Sequence, residues 1–332
     1  MKNNSIGKST LVSVFVSAGC CLLAAVLLWA CVGRKSAEPA GVQEEIVVML
    51  PVTPVKDQGR SELCWLYAML ATIETEHLVR GDSVNLSVNY LARQLLESEA
   101  HKCFASKGTY EPQLRGVVTK TLRLLDTYGV EPYDSYYTDS PVNYNSLLKR
   151  IKIMARGLHS QKQFNEKLQR LLDEEMGFVP RHVFMLGAEY TPMEFAHSVC
   201  RPGEYLAFCF VPERKTGETK VLAVPDNTTD ELFTNMEIDS LTAIVDTALA
   251  HGHPVCWEGD MNNANGNDNA NDDHAMCIVG IKRGEDQKKY YICKNSWGEN
   301  TDGNGFVTID SVYLRKNTIA IAVSRDYKTD NQ

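Results

Sequence analysis

The sequence lacks the features that mark several large functional classes. Ten cysteines in 332 residues are too few for a disulfide-dense scaffold. Acidic residues (42) outnumber basic ones (34) and no run of five like charges occurs, which argues against nucleic-acid binding. Neither a glycine-rich phosphate loop nor the His-x-x-x-His pattern of metallopeptidases is present. What remains is a globular composition, 44% hydrophobic and 23% charged, long enough for about two domains.

Residues 1–31 have the pattern of an export segment. Lys2 and Lys8 precede Leu11–Ala30, a stretch without a charged side chain that is also long enough to span a bilayer. It ends in Leu-Trp-Ala-Cys31, which resembles a bacterial lipoprotein cleavage box, and Cys20 is a weaker alternative. Lipidation of Cys31, a retained anchor and plain secretion all stay open. We expect a location in the bacterial cell envelope, facing outside the cytoplasm.

The remainder divides by its hydrophobic pattern into a helical part and a β part. We expect a tether at 32–48, a helical lobe at 49–200 and a β lobe at 201–327. Helices are predicted at Leu63–His77, Val117–Tyr128, Ser146–Ala155, Gln163–Glu175 and Asp239–Ala250. Strands are predicted at Pro254–Glu258, His274–Lys282, Lys289–Lys294, Phe306–Asp310 and Thr318–Ser324. A helical lobe followed by an antiparallel, β-barrel-like lobe gives an α+β fold class.

The most informative segment runs from residue 54 to residue 68, PVKDQGRSELCWLYA. A turn at Gln58 leads through a short loop to Cys64, at the start of a predicted helix. We expect Ser61 to cap this helix and Glu62 to favour its first turn. A nucleophilic thiol needs a lowered pKa, and a helix end supplies only about 0.3–2 kcal/mol toward it. A positively charged partner, for which an imidazolium is suited, is therefore required.

A histidine and an asparagine farther along the chain meet that requirement. His274 opens an apolar predicted strand, and Asn295 follows in the block Lys-Asn-Ser-Trp-Gly. An asparagine amide can accept a hydrogen bond from one imidazole nitrogen and leave the other facing sulfur. Trp297 can cover that hydrogen bond and exclude water from it.

These blocks occur in the order and spacing of the papain-like cysteine peptidases, which the sequence resembles. The resemblance implies a two-lobe papain-like cysteine proteinase fold with the cleft between the lobes, and a reaction without a metal or an organic cofactor. It also implies that Cys64 is the nucleophile, His274 the base and acid, and Asn295 the group that orients His274. Gln58 and the backbone N–H of Cys64 would hold the oxyanion.

Within the family, the sequence is most similar to the bleomycin hydrolase and aminopeptidase C branch. The similar segments are 64–68, 190–195, 252–257 and 274–276. Glu62-Leu63 departs from the Gly-Arg that is usual in this branch. The branch also has a C-terminal arm that fills the cleft and enforces N-terminal trimming. Since this chain ends at Gln332, soon after the last predicted strand, we expect an open cleft.

The predicted function is the hydrolysis of peptide bonds in peptide or protein substrates by an exported, membrane-tethered cysteine peptidase. A thioester intermediate on the nucleophile is part of this prediction. An open cleft favours endopeptidase action, and a strict aminopeptidase of the bleomycin hydrolase type is the alternative. Another alternative is a catalytically inactive envelope protein that binds peptides. The sequence alone indicates neither the side-chain preference nor an oligomeric state.

Several other side chains are expected to be structural. His251 and His253 lack the further ligands of a zinc site. Asp273, next to the predicted base, could tune it or be solvated. The remaining cysteines of the predicted lobes are expected to be buried thiols: Cys103, Cys200, Cys209, Cys256, Cys277 and Cys293.

Overall fold

The structure, a computed structural model, describes residues 44–138, 141–185, 187–261 and 273–331. Glu44–Gln332 forms one compact unit. The predicted export segment, with Cys20 and Cys31, lies outside the described residues, as does most of the predicted tether. The end of that tether belongs to the fold, because Glu45–Met49 forms a β-strand (β1).

The described chain is helical in its first half, as predicted. Six helices occur before residue 200: α1 (Cys64–Val79), α2 (Val88–Ala105), α3 (Val118–Tyr128), α4 (Tyr144–Gly157), α5 (Gln161–Met176) and α6 (Pro192–Val199). Two more, α7 (Ile238–Ala250) and α8 (Ser311–Asn317), lie among the later strands. Gly129 ends α3 with φ of 75°, a backbone conformation that favours glycine after a helix.

Helix α1 begins at Cys64, but its start differs from the prediction. Its N-cap is Leu63, which makes no side-chain capping bond. The Ser61 hydroxyl instead donates to the Gln58 carbonyl oxygen over 2.7 Å, and Glu62 lies ahead of the first turn. The predicted roles of Ser61 and Glu62 at this helix start are therefore wrong, because the turn at Gln58 takes the hydroxyl. Burial on nearly all sides stabilises α1 in place of a cap.

The strands form one sheet and one small hairpin. The sheet contains β1, β4 (Tyr205–Cys209), β5 (Thr219–Val221), β6 (Leu232–Asn235), β7 (Val255–Asp260), β8 (Asp273–Arg283), β9 (Lys289–Lys294), β10 (Phe306–Asp310) and β11 (Thr318–Ser324). Its order is β10-β9-β8-β7-β11-β4-β6-β5, with β1 paired to β8. The hairpin consists of β2 (Val183–Met185) and β3 (Ala188–Tyr190). The last five strands, β7 to β11, agree with the predicted strands within two residues.

The sheet is open. Its neighbouring strands are antiparallel except for the parallel pair β4 and β6. In the part of the chain that the structure describes, β10 and β5 stand at opposite ends of the strand order and do not close a barrel. The α+β fold class is confirmed, with an open sheet in place of the expected barrel-like arrangement.

The two faces of the central strands carry side chains of different size. Ala275, Ala320 and Ala322 belong to the core shared with the helices of the first half, including α1. Trp257 and Ile321 belong to the core shared with α7 and α8. Small side chains let a helix approach a sheet closely. Helix α1 therefore lies directly against β8, the strand that contains the predicted base.

Among the residues that the structure describes, six cysteines besides Cys64 are seen, and all six are buried and free, as expected. His253 is bonded to Glu76, and no described group of side chains could hold a metal ion. No helix in the described ranges is both long enough and apolar enough to cross a bilayer.

Candidate active site

The fold brings Cys64 next to the start of β8. The sulfur of Cys64 takes hydrogen bonds from two backbone N–H groups, that of Ala275 and that of Trp65. Ala275 is the residue directly after His274. The predicted nucleophile is therefore close in space to the residue that follows the predicted base, although the two are far apart in the sequence.

His274 is held by Asn295. Strands β8 and β9 are antiparallel, with Cys277 opposite Lys294, so the start of β8 and the end of β9 meet at one edge of the sheet. His274 Nε2 lies 2.8 Å from Asn295 Oδ1. Because a side-chain carbonyl oxygen only accepts, Nε2 carries the hydrogen, and in the neutral ring Nδ1 has the lone pair.

An aromatic ring covers the imidazole. The rings of His274 and Trp297 stack with centroids 4.9 Å apart and planes at 28°, while Trp297 itself is 43% exposed. Burial lowers the pKa of His274, and the hydrogen bond to Asn295 acts in the opposite direction. A histidine with this balance is neutral at pH 7 and can accept a proton.

Gln58 is oriented by two hydrogen bonds. Ser296 Oγ donates to Gln58 Oε1 over 2.5 Å, and Gln58 Nε2 donates to the Ser61 carbonyl oxygen over 2.9 Å. The backbone N–H of Gln58 also donates to the Ser296 carbonyl oxygen over 2.8 Å. A side-chain amide nitrogen has two hydrogens, so one of the Gln58 Nε2 hydrogens is left for a ligand.

A buried network connects the loop of Gln58 to the strand before Asn295. The Glu74 carboxylate accepts from Thr53 Oγ1 and from Lys56 Nζ, both over 2.5 Å, and from the Leu86 N–H over 2.7 Å. Lys294 Nζ in turn donates to Thr53 Oγ1 over 2.7 Å. Glu74 and Lys294 are buried, so these bonds form in a low dielectric. The network fixes the position of the loop of Gln58 relative to the end of β9.

The surroundings of the Cys64 thiol disfavour its charge. Burial raises the pKa of Cys64 to about 12, the N–H groups of Ala275 and Trp65 oppose this, and the Glu258 and Asp226 carboxylates add to it. The thiol can therefore act as a nucleophile at neutral pH only if another group accepts its proton.

The four predicted site residues, Cys64, His274, Asn295 and Gln58, thus converge in one region. Sequence reasoning missed two nearby residues. Ser296 lies within the recognised Lys-Asn-Ser-Trp-Gly block but was assigned no role. Glu258 was taken only as a strand residue, although an acidic side chain at the end of the apolar run Val255–Trp257 is a signal for a buried carboxylate; it is 2% exposed.

A family comparison agrees with this geometry. Residues 246–327 match the model of the papain family of cysteine proteases, a segment that includes His274, Asn295 and Trp297. Comparison with curated protein sequences gives no significant match.

Comparison with solved structures gives a further match over most of the chain. PepW from Lactobacillus rhamnosis HN001 has a TM-score of 0.65 at 16% identity, covering 94% of this chain and 90% of that one. At this identity the likeness shows the fold alone.

Two other solved structures have lower scores. Xylellain, a cysteine protease from Xylella fastidiosa, has a TM-score of 0.40 at 15% identity, with 88% of each chain covered. Digestive procathepsin L 3 from Tenebrio molitor larval midgut has a TM-score of 0.40 at 17% identity, covering 87% of this chain and 72% of that one. The resemblance to papain-like cysteine peptidases is confirmed by the match of residues 246–327 to the papain-family model, and the fold is similar to that of PepW over most of the chain.

Proposed function

We propose that this protein hydrolyses peptide bonds with Cys64 as nucleophile, His274 as base and acid, and Asn295 as the group that orients His274. One observation carries the proposal: His274 bonds to Asn295 over 2.8 Å, while the next backbone N–H, that of Ala275, bonds to the Cys64 sulfur. These two hydrogen bonds support the assignment of His274 as the proton acceptor of the Cys64 thiol.

In the first half of the reaction, Cys64 Sγ bonds to the peptide carbonyl carbon as its proton passes to His274 Nδ1. The carbonyl oxygen becomes an oxyanion, which accepts hydrogen bonds from Gln58 Nε2 and from the Cys64 N–H in the first turn of α1. The carbon–nitrogen bond then breaks, and His274 gives its proton to the leaving amine. The product is a thioester on Cys64.

In the second half, His274 accepts a proton from water as the water oxygen bonds to the thioester carbon. The oxyanion forms again at Gln58, and the carbon–sulfur bond breaks with return of the proton to sulfur. Asn295 keeps the Nε2 hydrogen of His274 in place throughout, so Nδ1 serves as the proton carrier in both halves.

We propose internal cleavage over strict N-terminal trimming. The last described residues lie at the end of α1 opposite to Cys64. Asn331 accepts from Arg80 Nε over 2.7 Å and donates to the Glu76 and Gly252 carbonyl oxygens, both over 3.3 Å. Since α1 has 16 residues, its two ends are roughly 24 Å apart. Asn331 is therefore held away from Cys64.

A pair of fluorogenic peptides tests both parts of the proposal. One peptide has a free N-terminus and the other is N-acetylated. We expect turnover of both, complete loss in Cys64→Ala, and retention in Cys103→Ala, which removes a sulfur elsewhere. Turnover of the free peptide alone would establish the aminopeptidase alternative. Absence of turnover on any peptide of a broad library would establish the peptide-binding alternative.

We also propose that the protein is exported and tethered to the cell envelope through residues 1–31, on the strength of the sequence pattern alone. Palmitate labelling of the full chain in a bacterial host tests it. We expect labelling of the natural chain and of Cys20→Ser, and loss of labelling in Cys31→Ser. Equal labelling of Cys31→Ser would remove the lipid anchor from the proposal.

A further inference from the structure

A large cavity lies beside Gln58. Its volume is about 910 Å³, within the range of pockets that enclose a small ligand. One wall is formed by residues 54–61, which carry Gln58 and Arg60. The facing walls are formed by the first turns of α2 and α4 and by the turn that contains Tyr133. We call it the Arg60 cavity.

The charged side chains of the Arg60 cavity give it an excess of positive charge. Arg60 and Lys149 are exposed and make no hydrogen bond or ion pair with any described residue. The third cation, Lys56, is paired with Glu74. Among the described lining residues, Asp57 is the single carboxylate, and it accepts from the Gly59 N–H over 2.8 Å. This charge contrasts with the net charge of −8 of the whole chain.

Backbone dipoles add to that charge. Helices α2 and α4, of 18 and 14 residues, both begin at the wall of the cavity, and neither has an acidic residue in its first turn. The N-terminal end of a helix carries a partial positive charge. The neutral side chains of Ser87 and Asn143 each accept one N–H at these two starts, so no negative charge of the helix itself offsets it. Two free cations and two helix starts around one cavity favour an anionic group inside it.

One buried acceptor in the same wall needs a donor. Asn85 lines the cavity, and its Oδ1 is buried without a hydrogen-bond partner among the described residues. A buried acceptor without a partner costs free energy, and rotation of the Asn85 amide into the cavity would let a ligand N–H recover it. A ligand that offers both carboxylates and N–H groups is an acidic peptide.

We propose that the Arg60 cavity binds a carboxylate-bearing segment of the peptide substrate, so that the protein prefers peptides with negative charge near the scissile bond. This inference rests on the proposed function, because Gln58 belongs both to the cavity wall and to the proposed oxyanion site. The carboxylate pairs with Arg60 and Lys149, while a backbone N–H of the same segment donates to Asn85 Oδ1.

Internally quenched peptides with one common scissile sequence test the proposal. A Glu-Asp-Glu segment is placed on either side of that sequence and compared with Gln-Asn-Gln, both with amidated C-termini. We expect about fivefold higher kcat/KM for the acidic peptide in one placement, as two exposed ion pairs allow. The third peptide is neutral and has a free C-terminus. If kcat/KM is raised for this peptide alone, the cavity binds the terminal carboxylate of the substrate.

Three variants locate the effect. Arg60→Gln and Lys149→Gln should each reduce the acidic-to-neutral ratio toward one. Lys167→Gln removes an exposed lysine of α5 outside the cavity wall and should keep the ratio of the natural chain. Raising the salt concentration should also reduce the ratio, because exposed ion pairs are screened. An equal rate for acidic and neutral peptides, or a ratio unaffected by both cavity variants, overturns the proposal.

A binding measurement separates this inference from the proposed function. The same peptides, labelled with a fluorophore, are titrated with Cys64→Ala and followed by anisotropy. If peptides are cut without a charge preference, the cavity proposal fails and the peptidase stands. If none is cut while the acidic peptide binds more tightly through Arg60 and Lys149, peptide-bond hydrolysis fails and the acidic site stands.

Discussion

The hydroxyl of Ser296 donates a hydrogen bond to the side-chain oxygen of Gln58, across 238 positions of sequence. Ser296 directly follows Asn295, so one short segment bonds both to the proposed oxyanion donor and to the proposed base. With Oε1 held by a hydroxyl, the amide of Gln58 has a fixed orientation and its nitrogen faces away from Ser296. The two halves of the proposed site are thereby aligned by a single loop.

Ser296→Ala should lower catalysis without abolishing it. Loss of one neutral hydrogen bond costs about 1 kcal/mol, so we expect kcat/KM to fall about fivefold. Gln58→Ala removes a donor outright and should cost about 100- to 1000-fold. Steady-state kinetics on one fluorogenic peptide measures both. Ser198→Ala, at an exposed position of α6, is the matched control. An equal fall in kcat/KM in this control would contradict the role of Ser296.

His274→Ala should suppress the reactivity of Cys64 at neutral pH. Burial raises the pKa of the thiol to about 12, so without the imidazole as proton acceptor the thiol stays protonated. We expect iodoacetamide to alkylate Cys64 at least about 100-fold more slowly in His274→Ala at pH 7, with a rate that rises into the alkaline range. His197→Ala, at an exposed position, is the control. Equal rates in His274→Ala and the natural chain would refute the proposed proton transfer.

Asn295→Ala should lower the pKa of His274 further. Burial already lowers this pKa, and the hydrogen bond to Asn295 is the group that opposes burial. Removing the bond leaves burial uncompensated, so the neutral ring persists to lower pH. NMR titration of the His274 ring in Cys64→Ala, with and without Asn295→Ala, measures the shift while excluding the thiol. A pKa that stays the same or rises would show that Asn295 does not stabilise the protonated ring.

Glu76→Gln should change the pH dependence of stability. Burial lowers the pKa of His253, but its bond to Glu76 and the charge of Glu76 outweigh burial, and the net shift is upward. A raised pKa in the folded state stabilises the protein fully below the unfolded value of about 6.5 and loses that effect as pH rises through the folded value.

The loss in Glu76→Gln should therefore be about 2 kcal/mol near pH 6 and smaller near pH 9. Urea unfolding at both pH values measures it. Glu174→Gln, an exposed acid of α5 without an ion pair among the described residues, should show no such difference. A loss in Glu76→Gln that is equal at both pH values would exclude the ion pair as its source.

The sequence predicted best where a local pattern determines the structure. Strands β9, β10 and β11 match their predicted ranges, because apolar and β-branched runs between turn residues leave few alternatives. Cys64, His274 and Asn295 were found from motif spacing, although their meeting depends on the pairing of β8 with β9 and on the packing of α1.

The missed elements depend on tertiary contacts. Helix α2 buries Arg93 and Glu99, so its buried face does not read as an apolar stripe. Arg93 is satisfied by Asp173 of α5 and by the Gly177 carbonyl oxygen, and these partners lie 80 or more residues away. Strand β1 gains its order from pairing with β8, which its own five residues do not indicate.

The small side chain of Ala275 has a consequence for how the protein could be re-engineered. Ala275 is buried in the core that α1 shares with the sheet, and its backbone N–H bonds to the Cys64 sulfur. A valine or leucine at residue 275 would need space that a packed core lacks, so the helix or the strand would have to shift. The position of the sulfur is thus governed in part by a methyl group that takes no part in the chemistry.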